Sequence, residues 1–345
     1  MRISAIGEFG LIERIRRILP RPRRAILGIG DDCAALRPTA GTDLLLTTDL
    51  LVEGVDFTLQ TITPRRLGRK AMGVNLSDIA AMGGLPRAAL AVLAMSPDGE
   101  IEFVDELYHG LQEEGARFGV ELVGGDLSAS STLTIGVTLV GEVATGKAVT
   151  RSGAKPGERI WVTGRLGAAA AGLAALRAGY RPPDDRIETP CELTSPLQEA
   201  IRQAIERHLS PIPRIREGRA LAGAGVASAM IDLSDGLASD LTRLCRESGV
   251  SATIREDRIP IDQAAAAVAQ HFGHDSLAMA LQGGEDFELL FTSSWKPADI
   301  AAIFPDVATV TEVGEVQEAG QGCRLERRDG STVTLTGGYD HFERR

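Results

Sequence analysis

Six short segments of this chain set carboxylates beside glycines or hydroxyls: Gly28-Ile-Gly-Asp-Asp32, Thr47-Thr-Asp49, Asn75-Leu-Ser-Asp78, Gly124-Gly-Asp126, Asp232-Leu-Ser-Asp-Gly236 and Gly283-Gly-Glu-Asp286. Four of them directly follow a β-branched or leucine-rich run. A strand that ends in Gly and Asp leaves hard oxygen ligands at a sheet edge and lets a ligand approach the backbone. One Asp-Gly turn is ordinary turn chemistry. The whole set implies anions gathered around divalent cations. No Gly-x-x-x-x-Gly-Lys-Ser/Thr loop is present, so bound nucleotide phosphates need metal ions for the work of a P-loop lysine. The first reading is a Mg-dependent, phosphate-handling enzyme of a non-P-loop type.

Length and patterning imply two domains. At 345 residues the chain exceeds the size at which one core stops growing. Strands are expected at 25–29 and 44–48, then a helix opened by Thr63-Pro64 and stopped at Gly83-Gly84. Its inward stripe is Leu67, Ala71, Val74, Asp78 and Met82, so Asp78 points where apolar residues point. A bare carboxylate there costs several kcal/mol of desolvation, so a partner is expected, either a metal or a loop or arginine contact. A helix over 100–118, a strand at 121–123 and a half-buried strand at 132–140 complete an α+β half with helices on one sheet face. The Gly- and Pro-containing stretch 146–158 marks the boundary, giving domains 1–148 and 149–345.

The second half reads as α/β: a strand at 159–163, a helix at 166–177, a loop at 180–196, and a strand at 227–231 running into Asp232. An amphipathic helix carrying Leu237, Leu241 and Leu244 follows, and then the Gly283–Asp286 corner leads into another strand. Gly164-x-x-Gly167 lacks the spacing of a dinucleotide fingerprint and is read as strand-to-helix packing.

Composition removes other classes. The net charge of −10 and the 4% aromatic content disfavour nucleic acid. The arginines of 14–24 read as a solvated helix end and loop. No apolar run is long enough for a bilayer, and the N-terminus lacks an apolar signal core. Four scattered cysteines without Cys-x-x-Cys indicate neither zinc nor a disulfide framework, so a cytoplasmic protein is expected.

Longer motifs carry a resemblance. Gly7-Glu-Phe-Gly-Leu-Ile12, Gly28-Ile-Gly-Asp-Asp-Cys-Ala34, Ala71-Met-Gly-Val-Asn-Leu-Ser-Asp-Ile-Ala-Ala-Met-Gly83, Thr150-Arg-Ser-Gly-Ala-Lys-Pro-Gly157, Gly283-Gly-Glu-Asp-Phe-Glu-Leu290 and Gly338-Tyr-Asp-His-Phe342 resemble the thiamine-monophosphate kinase family. That family is grouped with aminoimidazole-ribonucleotide synthetase and selenophosphate synthetase. The resemblance implies transfer of the γ-phosphoryl of ATP to thiamine monophosphate. It also implies a homodimer whose N-terminal sheets meet, and a C-terminal α/β domain completing the cleft and acceptor site. By position it implies Asp32, Thr47, Thr48, Asp49, Asp78, Asp126, Asp232 and Asp235 as Mg²⁺ ligands. Gly125, Asp126, Arg151 and Ser234 match ATP contacts, with Tyr108 or His109 near the adenine. Asp56, Glu285 and Tyr339 match acceptor contacts, Asp56 standing where many members have His. Leu127 likewise stands where Thr is frequent, which removes a hydroxyl and leaves the Asp126 carboxylate.

No histidine lies beside the acidic segments in sequence, which suits direct in-line transfer, since an attacking phosphate oxygen needs no strong base. A synthetase of the same fold group and a non-catalytic nucleotide- or calcium-binding module are the rival readings. A C-terminal cysteine, which the hydrogenase-maturation relative needs, is absent: the chain ends His341-Phe-Glu-Arg-Arg345.

Overall fold

The computed structural model describes residues 1–29, 32–181, 196–304 and 309–338. The chain divides into two compact units, Met1–Ile79 with Gly84–Gly146, and Ala80–Gly83 with Lys147–Arg345.

The first unit opens with helix α1 (Gly7–Ile18), followed by β1 (Thr42–Val52), α2 (Pro64–Ala81), β2 (Leu85–Met95), α3 (Ile101–Phe118), β3 (Glu121–Ala129) and β4 (Thr134–Ala144). The sheet order is β1-β4-β2-β3, with β2 and β3 parallel and the other pairs antiparallel. The strand expected at 25–29 is only an isolated bridge, Leu27 to Ala35, because this Pro- and Arg-flanked segment finds no ladder partner. Strand β2 had no clear signal in the sequence, since its alanines suit either face and blur the period of two.

Helices α2 and α3 cross at backbone contact. A Cβ on Gly68 would stand 2.1 Å from the Leu107 carbonyl, and one on Gly110 would stand 1.9 Å from that of Arg65. Ile79 of α2 presses on Gly141 of β4, which fixes the helix layer on one sheet face. The other face inverts the usual pattern. Leu44, Leu46 and Leu50 of β1 are 48%, 70% and 58% exposed, while the half-buried side of the same strand carries Thr47 and Asp49.

The second unit contains β5 (Arg159–Thr163), α4 (Ala168–Arg177), α5 (Pro196–Leu209), α6 (Ile215–Ala224), β6 (Ala229–Asp232), α7 (Leu237–Ser248), β7 (Ser251–Arg255), α8 (Gln263–Phe272), α9 (Ser276–Gln282), β8 (Leu289–Ser293), α10 (Pro297–Ile303), β9 (Val310–Gln317), β10 (Cys323–Glu326) and β11 (Thr332–Thr334). They build a seven-stranded sheet in the order β11-β10-β7-β9-β5-β8-β6. The predicted stripe Leu237, Leu241 and Leu244 of α7 packs on Ile160, Val162, Ile231, Ile254 and Leu290. Each such leucine, fully removed from water, contributes about 1.5–3 kcal/mol before entropy is counted. On the opposite sheet face Trp161 stacks against Phe291 with centroids 6.4 Å apart. Among the described residues no helix is long and apolar enough to cross a membrane.

Candidate active site

In the first unit, β1 and α2 bring hard oxygens together. The Thr47 hydroxyl of β1 donates to the Asp78 carboxylate, a strand contact different from the metal, loop or arginine partner expected for an acid on the apolar side of α2. One turn earlier on the helix, Asn75 accepts the Asp49 backbone N–H at 3.1 Å and donates to the Ala71 carbonyl at 3.0 Å. Thr47, Asp49 and Asp78 therefore share the helix-facing side of the sheet. Register puts the other ligand candidates elsewhere. Thr48 lies opposite Thr138 and accepts its hydroxyl at 3.1 Å, and Thr138 lies opposite Leu90, in the outward row. Asp126 is exposed and pairs in register with Val92, itself 40% exposed and opposite Gly136, the partner of Leu50. Asp32 is exposed, ahead of β1. Gly125 permits close strand approach, since a Cβ there would stand 1.8 Å from the Ala91 carbonyl.

Asp56 is committed locally: its carboxylate accepts the Val52 N–H at 2.8 Å, closing the turn after β1. Tyr108 is 4% exposed on the inward side of α3, and burial pushes its phenol well above the ordinary value. Its neighbour His109 is half-buried. Tyr339 lies outside the described residues.

In the second unit, Asp232 ends β6 in the core, 3% exposed. The next loop is held by Asp240, whose carboxylate accepts the Asp235 N–H at 3.0 Å. Arg243 bridges the Asp235 and Asp240 carboxylates. Burial, and after it the Asp235 charge, push Asp240 up to about 7, while the charges of Arg243 and Arg151 pull the other way. The Ser234 carbonyl accepts the Glu285 N–H at 2.8 Å, so the two acidic corners are tied back to back.

The corner at 283–288 is strained. Glu285 and Phe287 have φ of 57° and 50°, a left-handed conformation that is costly for side-chain-bearing residues and persists only when neighbours impose it. Those neighbours are identifiable. The Phe287 N–H donates to the Leu233 carbonyl at 2.9 Å, and the Asp286 carboxylate accepts from Gly167 N at 2.7 Å and Ala169 N at 3.3 Å. Glu288, 2% exposed, accepts from Arg214 Nε at 2.6 Å and from the Thr163 hydroxyl at 2.7 Å. Burial pushes Glu288 above the usual carboxylate value against the pull of Arg214.

In sequence no histidine adjoins the acidic segments, but the fold changes this. A histidine does sit beside an acidic corner: His208 Nδ1, on α5, is 3.0 Å from Glu285 Oε2. His208 and Arg214 flank the prolines of Arg207-His-Leu-Ser-Pro-Ile-Pro-Arg214, a composition that signals a fixed turn but not its target. Asp240 and Arg243 stand at i, i+3 on α7, a spacing that could have been read as a surface pair.

Among the described residues no three His, Cys, Asp or Glu side chains form a ready metal cage. The donor set still suits Mg²⁺, because the oxygens of Thr47, Asp49 and Asp78 are hard. That ion is ordinarily held by one or two carboxylates with water and substrate phosphates.

Comparison with known proteins follows the same outline. The family profile "AIR synthase related protein, N-terminal domain" matches residues 30–143, and its C-terminal counterpart matches 155–324. The thiamine-monophosphate kinase of Aquifex aeolicus is 36% identical over 345 residues, covering 99% of this chain and all of the relative. A crystal structure of thiamine-monophosphate kinase from Stenotrophomonas maltophilia superposes with a TM-score of 0.80 at 32% identity, covering 95% of this chain and 98% of the other. A solved structure described as AaThiL complexed with AMPPCP and TMP gives 0.74 at 35% identity, covering 99% of both chains.

Proposed function

The chain belongs to the thiamine-monophosphate kinase family, within the AIR synthase related group, and from that premise we propose that it phosphorylates thiamine monophosphate with ATP to give thiamine diphosphate. The observation that carries this reading is full-length similarity to a relative solved with an ATP analogue and TMP, together with the ordered acidic corners that the family motifs fall on.

The chemistry needs little covalent help from the protein. A phosphate oxygen of the acceptor attacks the γ-phosphorus of ATP, the bond to the β–γ bridging oxygen breaks, and ADP leaves. The acceptor monoester is already largely dianionic near neutral pH, so no side chain need remove a proton. The obstacle is repulsion between polyanions, roughly 4 kcal/mol per unit-charge pair at 4 Å and an effective dielectric of 20. Bound Mg²⁺ offsets this repulsion. In our reading Thr47, Asp49 and Asp78, gathered on the helix-facing side, are the candidate ligands of the first unit, Thr48 and Asp126 could serve only an ion on the other face of that sheet, Asp32 remains a candidate from the segment ahead of β1, and Asp232 and Asp235 are the candidates of the second unit.

Arg151, Ser234, Gly125 and Asp126 are assigned to ATP. Between the two adenine candidates, burial of Tyr108 favours His109. Glu285 and Tyr339 are assigned to the acceptor. Asp56, occupied by the Val52 amide, reaches it only through its free oxygen. The exposed leucine row of β1 favours a homodimer formed through that face, since contiguous apolar surface of this kind marks an interface. The scattered cysteines favour the cytoplasm as its compartment.

Coupled measurement of ADP release with thiamine monophosphate, with thiamine and without acceptor tests the assignment. Turnover specific to the monophosphate is the expected result. ATP hydrolysis indifferent to acceptor would refute it.

A further inference from the structure

We infer that Arg243 is a positioning residue, which fixes the Asp235 carboxylate in the orientation used to bind a divalent cation. The inference rests on the reading of Asp235 as a Mg²⁺ ligand.

Three side chains are linked from the core outward. That of Asp240 is 0% exposed, that of Asp235 22% and that of Arg243 36%. Arg243 Nη1 donates to Asp235 Oδ2 and, at 3.3 Å, to Asp240 Oδ1. Asp240 Oδ2 accepts the Asp235 N–H at 3.0 Å. The buried acid therefore holds both the backbone of Asp235 and the guanidinium that engages its side chain. Arg243 stands in the second turn of α7, and a long helical side chain runs back toward the N-terminus, here toward the loop that carries Asp235.

The backbone of that loop is set by other groups. The Leu233 N–H donates to the Glu288 carbonyl at 2.8 Å, and the Leu233 and Ser234 carbonyls accept from Phe287 and Glu285. Gly284 lies so close that a Cβ there would stand 2.7 Å from the Ser234 carbonyl. None of these contacts reaches the Asp235 carboxylate. Among the described residues the group that does is Arg243. With Oδ2 engaged, rotation of the carboxylate about its last bond is restrained, and Oδ1 is the oxygen left for a ligand. Mg²⁺ is ordinarily held by one or two carboxylates, and the hydrogen bonds that orient each one set much of its affinity.

The test is a double-mutant cycle between Arg243→Ala and Asp235→Asn. It reads calorimetric affinity for AMPPCP with and without Mg²⁺, the Mg²⁺ concentration for half-maximal turnover, and the KM for thiamine monophosphate. Arg243→Ala is expected to weaken AMPPCP binding in Mg²⁺ about tenfold and to raise the half-maximal Mg²⁺ concentration by a similar factor. Affinity without Mg²⁺ and the acceptor KM should stay within about twofold, and Arg243→Ala should add less than about twofold once Asp235 is Asn. If loss of its partner at Asp240 unfolds Arg243→Ala, combining it with Asp240→Asn removes the buried charge and should show the same Mg²⁺-specific loss.

Additive effects in the cycle, an equal loss of AMPPCP affinity without Mg²⁺, or unchanged or tighter binding in Mg²⁺ for Arg243→Ala would overturn the positioning role while leaving Asp235 at the cation. Unchanged AMPPCP affinity in Mg²⁺ for Asp235→Asn alone would instead remove the reading of Asp235 as a ligand, and the inference with it.

Discussion

The Asp286 carboxylate accepts the backbone N–H of Gly167 at 2.7 Å across a sequence separation of 119 residues, capping α4 from outside the helix. A helix N-terminus leaves amide donors unpaired, and here Gly167 has no side chain to serve them. Burial pushes Asp286 up to about 7, against the stabilising pull of these amides.

In the folded chain Asp286 holds its proton up to about pH 7, while in the unfolded chain it ionises near 4. The folded state thus binds more protons across that window, and stability falls as pH rises through it. Asp286→Asn keeps an acceptor and removes the charge. Relative to wild type, it should gain stability on the order of 1 kcal/mol per pH unit between pH 5 and 7 in urea titrations. A pH-independent difference would show that Asp286 ionises freely.

Asp78→Asn preserves an acceptor for the Thr47 hydroxyl but removes the charge proposed to bind Mg²⁺. Turnover should drop by about two orders of magnitude or more, with the melting temperature within a few degrees of wild type. Near-normal activity at low Mg²⁺ would make Asp78 a structural acid.

Direct transfer predicts no phosphoenzyme. Incubation with γ-labelled ATP without acceptor should leave the protein unlabelled, and ATP–ADP exchange should need thiamine monophosphate. A trapped phosphoprotein would require a nucleophilic side chain.

Glu288→Ala should destabilise by about 3–5 kcal/mol, because among the described residues it leaves Arg214, whose side chain is 12% exposed, with Glu217 at 3.4 Å as its remaining carboxylate partner. Replacing Glu288 and Arg214 together by apolar residues of similar size should recover much of the loss. Chemical denaturation of the single and double variants checks both.

Leu46→Asp, on the exposed side of β1, should convert a dimer to monomers in analytical ultracentrifugation while leaving the far-UV spectrum unchanged. An unaltered sedimentation coefficient would place the interface elsewhere.

Local chemistry made much of this protein legible in its sequence. Periodicity placed α2 and α7, whose stripes need only one apolar neighbour to be correct, and Thr63-Pro64 and Gly83 punctuated α2 where the structure does. Glycine next to acid marked the corners that became Asp126, Asp232–Asp235 and Glu285. Strand β2 was hidden because alanine carries little period, and 25–29 failed as a strand because β character without a ladder partner is not enough. Only the tertiary structure decided that Asp56 closes its own turn, that Thr47 and Asp126 occupy opposite sheet faces, and that His208 meets Glu285. Those facts depend on strand register and on contacts between residues far apart in the chain. A one-residue shift in register reverses a side chain's face, and no local pattern records which distant donor will satisfy a buried carboxylate.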